Sequence, residues 1–255
     1  MESDVNGEKP SVLKSIRRYF FKFLMMFLAV VAGFFSENIR EGYADKRKGE
    51  EYIVSIVEDL RFDIKALDSI LSKRRKKEEM LDSLLVLLNG EDLKKHGNEI
   101  YYFARWAPRV HRFYNHDRTI IQLRNSGDWH LIQKKEVSDA LQFYDERVRS
   151  LDNYIAQREE SLVLIMYQST NKLFDNRTFN NMLNGLSFKR PTNNPQLHSY
   201  DKEAINEFAN QVHFLQNANQ YYIDVATTLQ QSAKQTLALI EREYASSEFV
   251  QSEIR

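Results

Sequence analysis

Phe23–Phe35 reads FLMMFLAVVAGFF, a run without a polar side chain, and Tyr19, Phe20 and Phe21 extend it past the single charge of Lys22. The apolar stretch then covers about 17 residues, at the short end of the ~17–25 that carry an α-helix across a bilayer. Its apolar residues lie on every face, whereas a helix buried in a soluble core shows one stripe. Residues 19–36 therefore read as a transmembrane anchor, with Tyr19, Phe23, Leu24, Phe27, Val30, Phe34 and Phe35 expected to meet the lipid bilayer. Lys22 lies near the end of the span, where a lysine can snorkel its ammonium to the headgroups. A cleaved signal peptide is the main alternative, with Lys14, Arg17, Arg18 and Lys22 as its basic region and Val30-Val31-Ala32 as its cleavage site. The bulky Phe34 and Phe35 after that cut, and the helix-compatible polar sequence that follows directly, favour the anchor.

Outward from the anchor, residues 1–18 form a basic N-terminal tail. Lys and Arg flank the span on both sides, and the nearer cluster at Lys14, Arg17, Arg18 and Lys22 places the N-terminus in the cytoplasm. The C-terminal part then lies in the periplasm, and the protein is a single-pass protein of the cytoplasmic membrane.

Residues 37–255 read as a helical domain. Ile53, Ile56, Val57, Leu60, Ile64, Leu67, Ile70 and Leu71 recur at spacings of three and four, which makes one apolar helical face. The anchor helix is thus expected to continue as a long helix that packs on the domain. Lys73-Arg74-Arg75-Lys76-Lys77, followed at once by Glu78-Glu79, reads as a solvated helix segment or turn, and Met80–Leu88 as a shorter helix stopped by Asn89-Gly90. Glu99–Leu123 interleaves Tyr101, Tyr102, Phe103, Trp106 and Phe113 with Arg105, Arg109 and Arg112, and Ser126-Gly127-Asp128 breaks the chain after it. Leu141, Tyr144, Val148, Leu151, Ile155, Leu162, Ile165 and Met166 mark another long helix, and Phe208 to Ile240 a last one over about 202–244. Between them, residues 185–199, GLSFKRPTNNPQLHS, form an irregular connection. With 4 Pro and 8 Gly in 255 residues the backbone has few breakers. The expected fold is all-α: a transmembrane helix continuing into a long helix, then an irregular helical bundle with coiled-coil-like packing.

The 36 Lys and Arg equal the 36 Asp and Glu, so no long-range field gathers nucleic acid over the whole surface. The interleaved aromatic and basic residues at 99–123 accordingly read as a core face with a cationic rim, and no nucleic-acid partner is expected. Absent cysteine rules out disulfides, thiolate metal sites and a thiol nucleophile. None of the six histidines has a Glu three residues before it, as a carboxylate-bridged di-iron bundle would need, and HExxH is missing. No phosphate-binding glycine loop or GxSxG elbow occurs, and pairs such as Glu159-Glu160 read as solvated helix faces. No enzyme activity, catalytic residue, metal or cofactor is expected, and an enzyme using a site without a linear motif is the third reading. The function read from the sequence is a membrane-held structural or protein-interaction module, with a protein partner or a second copy of itself. The alternative is an extracytoplasmic sensor with a ligand or partner patch at Arg105, Trp106, Arg109 and Trp129; with a tail of about 18 residues it would signal through a partner.

FLMMFLAVVAGFFSENIREGYADKRKGEEYIVSIVEDLRFD (23–63) and RNSGDWHLIQKKEVSDALQFYDERV (124–148) together carry a resemblance. Glu37, Asn38, Arg40 and Glu41 stand in the juxtamembrane part, Glu58-Asp59-Leu60 form an acidic-Leu motif, and Ser126-Gly127-Asp128 with Leu131 and Ile132 open the next helix. This pattern resembles a family of uncharacterised single-pass membrane proteins of Bacteroidetes-type bacteria, the DUF6090-like group. The resemblance implies a membrane protein without known catalytic residues. Lys22 within the apolar stretch departs from that pattern.

Overall fold

A computed structural model describes residues 12–254, with side chains from Ile16 onward. Residues 1–11 of the expected tail lie outside them. The fold is all-α: α1 (Val12–Leu88), α2 (Gly97–Trp106), α3 (Arg118–Ser126), α4 (Lys135–Tyr154), α5 (Glu160–Leu173), α6 (Asn176–Asn181), α7 (Lys202–Glu243) and α8 (Glu248–Ile254). Among the described residues the one sheet is the antiparallel pair β1 (Leu183–Asn184) and β2 (Ser187–Phe188). The chain forms two compact units, Met1–Glu51 and Tyr52–Arg255, and α1 contributes residues to each.

Among the described residues of the first unit most apolar side chains are exposed. Tyr19, Phe23, Phe27, Val30, Phe34 and Phe35 are exposed, and Leu24 is half-buried. An 18-residue window of α1 averages a hydropathy of 1.9 with 0% of it buried, so one helix among the described residues is long and apolar enough to cross a membrane.

The second unit holds two hydrophobic clusters. The first joins Ile53, Ile56, Leu60 and Leu67 of α1 to Leu123 of α3, Val137–Leu151 of α4, Tyr222–Ile240 of α7 and Val250 and Ile254 of α8. The second joins Leu81, Leu84 and Leu88 at the end of α1 to Ile100, Tyr101 and Ala104 of α2, Val163, Met166 and Leu173 of α5, and Phe208, Val212 and Leu215 of α7. Of the solvated helix segment or turn expected at residues 73–77 the structure has the helix, and the shorter helix expected at Met80–Leu88 is its continuation. α1 runs through the basic stretch to Leu88, because Lys, Arg and Glu are good helix formers and no Gly or Pro intervenes before Gly90.

Between α4 and α5 the helix widens into one π turn, Ile155–Glu159, so the long helix expected here is continuous but not uniformly α. Ile165, read as inward-facing, is 48% exposed, since Met166 and Val163 take the buried face of α5. α3 ends at Gly127 in the left-handed conformation (φ 74°), the glycine stop expected from the sequence. α7 starts where Asp201 accepts a hydrogen bond from the Ala204 amide at 2.9 Å. Residues Tyr244 to Ser247 turn the chain back, and α8, which the sequence reading left unassigned, closes the first cluster.

The irregular connection opens as a hairpin, with Gly185 (φ 60°) and Leu186 as the two-residue turn between β1 and β2. From Lys189 to Asp201 the chain has neither helix nor strand, and side chains and amides tie it down. The Gly97 amide donates to Asn194 Oδ1 at 2.8 Å, the Asn194 amide to Asn98 Oδ1 at 2.8 Å, and the His198 amide to the Leu173 carbonyl at 2.8 Å. A Cβ on Gly97 would lie 2.0 Å from the Pro195 carbonyl oxygen, a backbone atom that cannot swing aside. Gly97→Ala is expected to cost about 1–3 kcal/mol of unfolding free energy, by the ordinary penalty of overpacking. Urea denaturation followed by far-UV circular dichroism checks this, and an unchanged midpoint would contradict it.

Candidate functional site

On α1, Arg74 and Lys77 follow Leu67 and Leu71 and precede Leu81, and this spacing keeps both on the buried face. Their side chains are 0% and 5% exposed, respectively, and Glu159, in the π turn, is 0% exposed. Asn219 occupies the same position on α7, between Leu215 of the second cluster and Tyr222 of the first. The bundle thus carries a buried polar layer between its two apolar clusters. This corrects the solvated reading of both the basic run and Glu159, although Lys73, Arg75 and Lys76 do face solvent.

Arg74 grips the Glu159 carboxylate with both forks, Nη1 to Oε1 at 2.6 Å and Nη2 to Oε2 at 2.9 Å. Its Nε donates to the His111 carbonyl at 2.9 Å, Nη1 also to Asn219 Oδ1 at 3.2 Å, and its guanidinium lies 3.8 Å over the Tyr222 ring. Lys77 donates to Glu159 Oε1 at 3.2 Å and to the Arg109 carbonyl at 2.8 Å. Asn219 donates to the Arg74 carbonyl at 3.0 Å and to Glu78 at 2.7 Å. Burial pushes the Glu159 carboxyl up, but the Arg74 hydrogen bonds and the charge of Lys77 outweigh it and hold the group below the usual range. Burial lowers Lys77 against the pull of Glu159. Each charge is paired and hydrogen-bonded, the condition under which buried ions persist.

The same layer fastens the extended segment between α2 and α3. Lys77 and Arg74 hold the carbonyls of Arg109 and His111, the Phe113 amide donates to the Tyr222 hydroxyl at 3.1 Å, and the His116 amide donates to Asp63 Oδ1 at 2.8 Å. A segment without secondary structure must find such partners for its backbone. Tyr144 also donates to Asp63, at 2.7 Å.

Two groups around this segment titrate in opposite senses. Burial raises Asp63 from the ordinary 3.8 to about 6, against the hydrogen bonds from His116 and Tyr144 and despite the His116 ring 3.9 Å away. Burial and the cations Lys77, Arg74, Lys73 and Arg109 lower His111 from 6.5 to about 4. A raised carboxyl contributes stability that is present below pH 3.8 and lost as the pH rises through about 6. A lowered imidazole contributes stability that is present above pH 6.5 and lost as the pH falls through about 4. The two slopes oppose each other in the wild type. Asp63→Asn removes the first, so the variant's stability minus that of the wild type is expected to rise as the pH goes from about 4 to about 6. Melting temperatures of both proteins across that window test it, and a flat difference would refute the assignment.

Of the sequence-read patch, the structure brings together Arg105, Trp106 and Arg109 and leaves Trp129 out. Trp129 packs on the first cluster instead. Arg109 stacks over Trp106 at 4.5 Å and over Phe188 at 4.8 Å, Arg105 over Phe188 at 4.8 Å, and the Trp106 and Phe188 rings meet edge to face at 5.1 Å. Phe188 came from the connection at 185–199, where no helical spacing points to it.

A cleft of about 490 Å³ opens between the 112–117 segment, α3, α4 and Tyr222. Arg112, Arg124 and Arg149 line it, and each is paired: Arg124 and Arg149 with Asp145, Arg112 with Glu160 and Asp152. Among the described residues no group of three or more His, Asp or Glu is placed to hold a metal ion. In comparisons with known proteins, no family model, no curated protein and no solved structure matches the chain.

Proposed function

We propose that this chain is a single-pass protein of the cytoplasmic membrane whose helical unit is a protein-interaction module in the periplasm. The observation that carries the reading is the apolar run of α1, whose Phe and Met side chains are exposed. Exposed apolar surface of that extent marks a membrane or partner surface. The second unit supports the module role with its long helices, whose apolar faces form the two clusters and whose other faces are exposed. The resemblance of residues 23–63 and 124–148 to single-pass membrane proteins agrees with this. Tethering also raises the effective concentration of the helical unit toward any other membrane protein.

The test uses the missing cysteines. Ser246, exposed between α7 and α8, becomes a unique thiol in Ser246→Cys. A membrane-impermeant maleimide labels it in intact cells if the helical unit is periplasmic and only after lysis if it is cytoplasmic. Crosslinking in the same membranes, with recovery of monomer alone at every spacer length, would count against the interaction role. The cleft at Arg112, Arg124 and Arg149 supports the sensor reading as second choice, checked by a ligand-dependent rise in melting temperature.

A further inference from the structure

We propose that the surface made by the end of α2, the β1–β2 hairpin and residues 189–193 binds an acidic segment of a partner protein. The inference rests on the interaction reading above and names the chemistry of the partner. Arg105, Arg109, Lys189 and Arg190 converge there, and the only ion pair they make among the described residues is a long one, Arg190 to Glu99 at 3.5 Å. The arginines in the 490 Å³ cleft, by contrast, are each spent on a carboxylate of their own chain. The patch arginines are held by rings instead: Arg105 and Arg109 by Phe188, and Arg190 by Tyr102 at 4.7 Å and Phe103 at 5.5 Å. A ring fixes a guanidinium in place without neutralising it, so its charge and outer N–H groups remain for an incoming carboxylate.

Beside the arginines lies a recess of about 430 Å³, lined by Lys189, Arg190, Thr178, Asn181, Thr192 and Asn193 together with Met182 and Pro191. No Asp or Glu lines it. Asp175, the nearest acid in sequence, accepts the Thr178 amide at 3.0 Å as the cap of α6. Leu186 stands 93% exposed at the hairpin tip, and Arg109 Nη2 holds its carbonyl at 2.7 Å. The exposed hairpin tip thus adds one apolar side chain to a cationic surface whose recess is lined by no carboxylate among the described residues. The complement is an acidic, extended peptide that carries an apolar residue.

The test is fluorescence anisotropy of a labelled glutamate decapeptide with one central leucine, titrated with the full-length chain in uncharged detergent. Binding is expected to weaken about tenfold or more in the combined variant Arg105→Gln, Arg109→Gln, Arg190→Gln, and also in Leu186→Asp. The second change sits at an exposed tip and decides the matter if the first variant does not fold. A control with equal loss of charge on α1, Lys73→Gln, Arg75→Gln, Lys76→Gln, is expected to stay within about twofold. Absent binding by the wild type, equal weakening in the control, or undiminished binding by Leu186→Asp would each overturn the proposal. So would capture of phosphatidylserine vesicles by the arginines with the peptide left unbound. Crosslinking in cells separates the two readings: monomer alone with the peptide bound sinks the module, and crosslinked partners with the peptide unbound sink only the acidic-segment proposal.

Discussion

Glu159→Gln is expected to lower the unfolding free energy by ~3–5 kcal/mol, the range measured when one partner of a buried ion pair is removed. The amide keeps the size of the carboxylate but not its charge, so Arg74 and Lys77 become two buried cations with no anion. For a domain of about 200 residues that is a fall in melting temperature of roughly 10 °C. Arg75→Gln, one residue along α1 and exposed, is expected to move stability by less than ~0.5 kcal/mol. The variant Arg74→Met, Lys77→Met, Glu159→Leu is expected to recover only part of the loss, because it removes the unpaired charges but leaves the His111 and Arg109 carbonyls and Asn219 Oδ1 without these donors. Urea titration of the full-length chain in detergent reads all three. A Glu159→Gln protein as stable as wild type would mean that the layer is solvated. An apolar triple variant that stays compact but loses a single cooperative transition would show that the charges select one register of the bundle rather than strengthen it.

Arginine at both Phe27 and Val30 is expected to release the chain from membranes. Each guanidinium at the centre of a span costs about 2.5–3.5 kcal/mol on insertion scales, and a span of only about 17 residues has little reserve. Neither substitution disturbs packing inside the protein, since both side chains are exposed on α1. Alkaline carbonate extraction is the measurement: wild type stays in the pellet and the double variant moves to the supernatant. A double variant that remains in the pellet would place the hydrophobic attachment elsewhere, and a wild type that extracts would remove the anchor altogether.

Much of the fold is written in spacing. The apolar positions of α1 from Ile53 to Leu71 and those of α7 from Phe208 to Ile240 recur every three or four residues, and the clusters are built from them. Gly127 stops α3 in the left-handed conformation, and α1 ends just before Asn89-Gly90. The polar layer was missed because residue type was allowed to decide against position. Arg74 and Lys77 continue the stripe of Leu67 and Leu71 toward Leu81, and Glu159 continues that of Leu151 and Ile155. In each case the period was right and the assumption that a charge faces water was wrong. The patch was half legible. Arg105, Trp106 and Arg109 lie within one turn of α2 and its end, but Phe188 reaches them only through the tertiary fold, and Trp129 shares their chemistry without sharing their place. α8 is too short for a periodic signal to separate it from a tail.

The π turn at Ile155–Glu159 makes the charge layer depend on the number of residues in the chain as well as on their identity. Leu151, Ile155, Glu159 and Val163 are spaced by four, and in a pure α-helix each such step drifts about 40° around the axis. One wider turn absorbs part of that drift and returns Glu159 and Val163 to the buried face. Losing a single residue from this turn would restore regular α winding with the helix beyond it close to its present phase, whereas losing one from the α turns on either side would rotate everything beyond it by about 100°. For the lineage that carries this protein, a one-codon deletion is therefore cheaper at exposed Ala156, Gln157 or Arg158 than in the α turns of α4 or α5, as are substitutions at those three positions. Across its descendants a one-residue change of length in this helix should fall at Ile155–Glu159 before anywhere else along it.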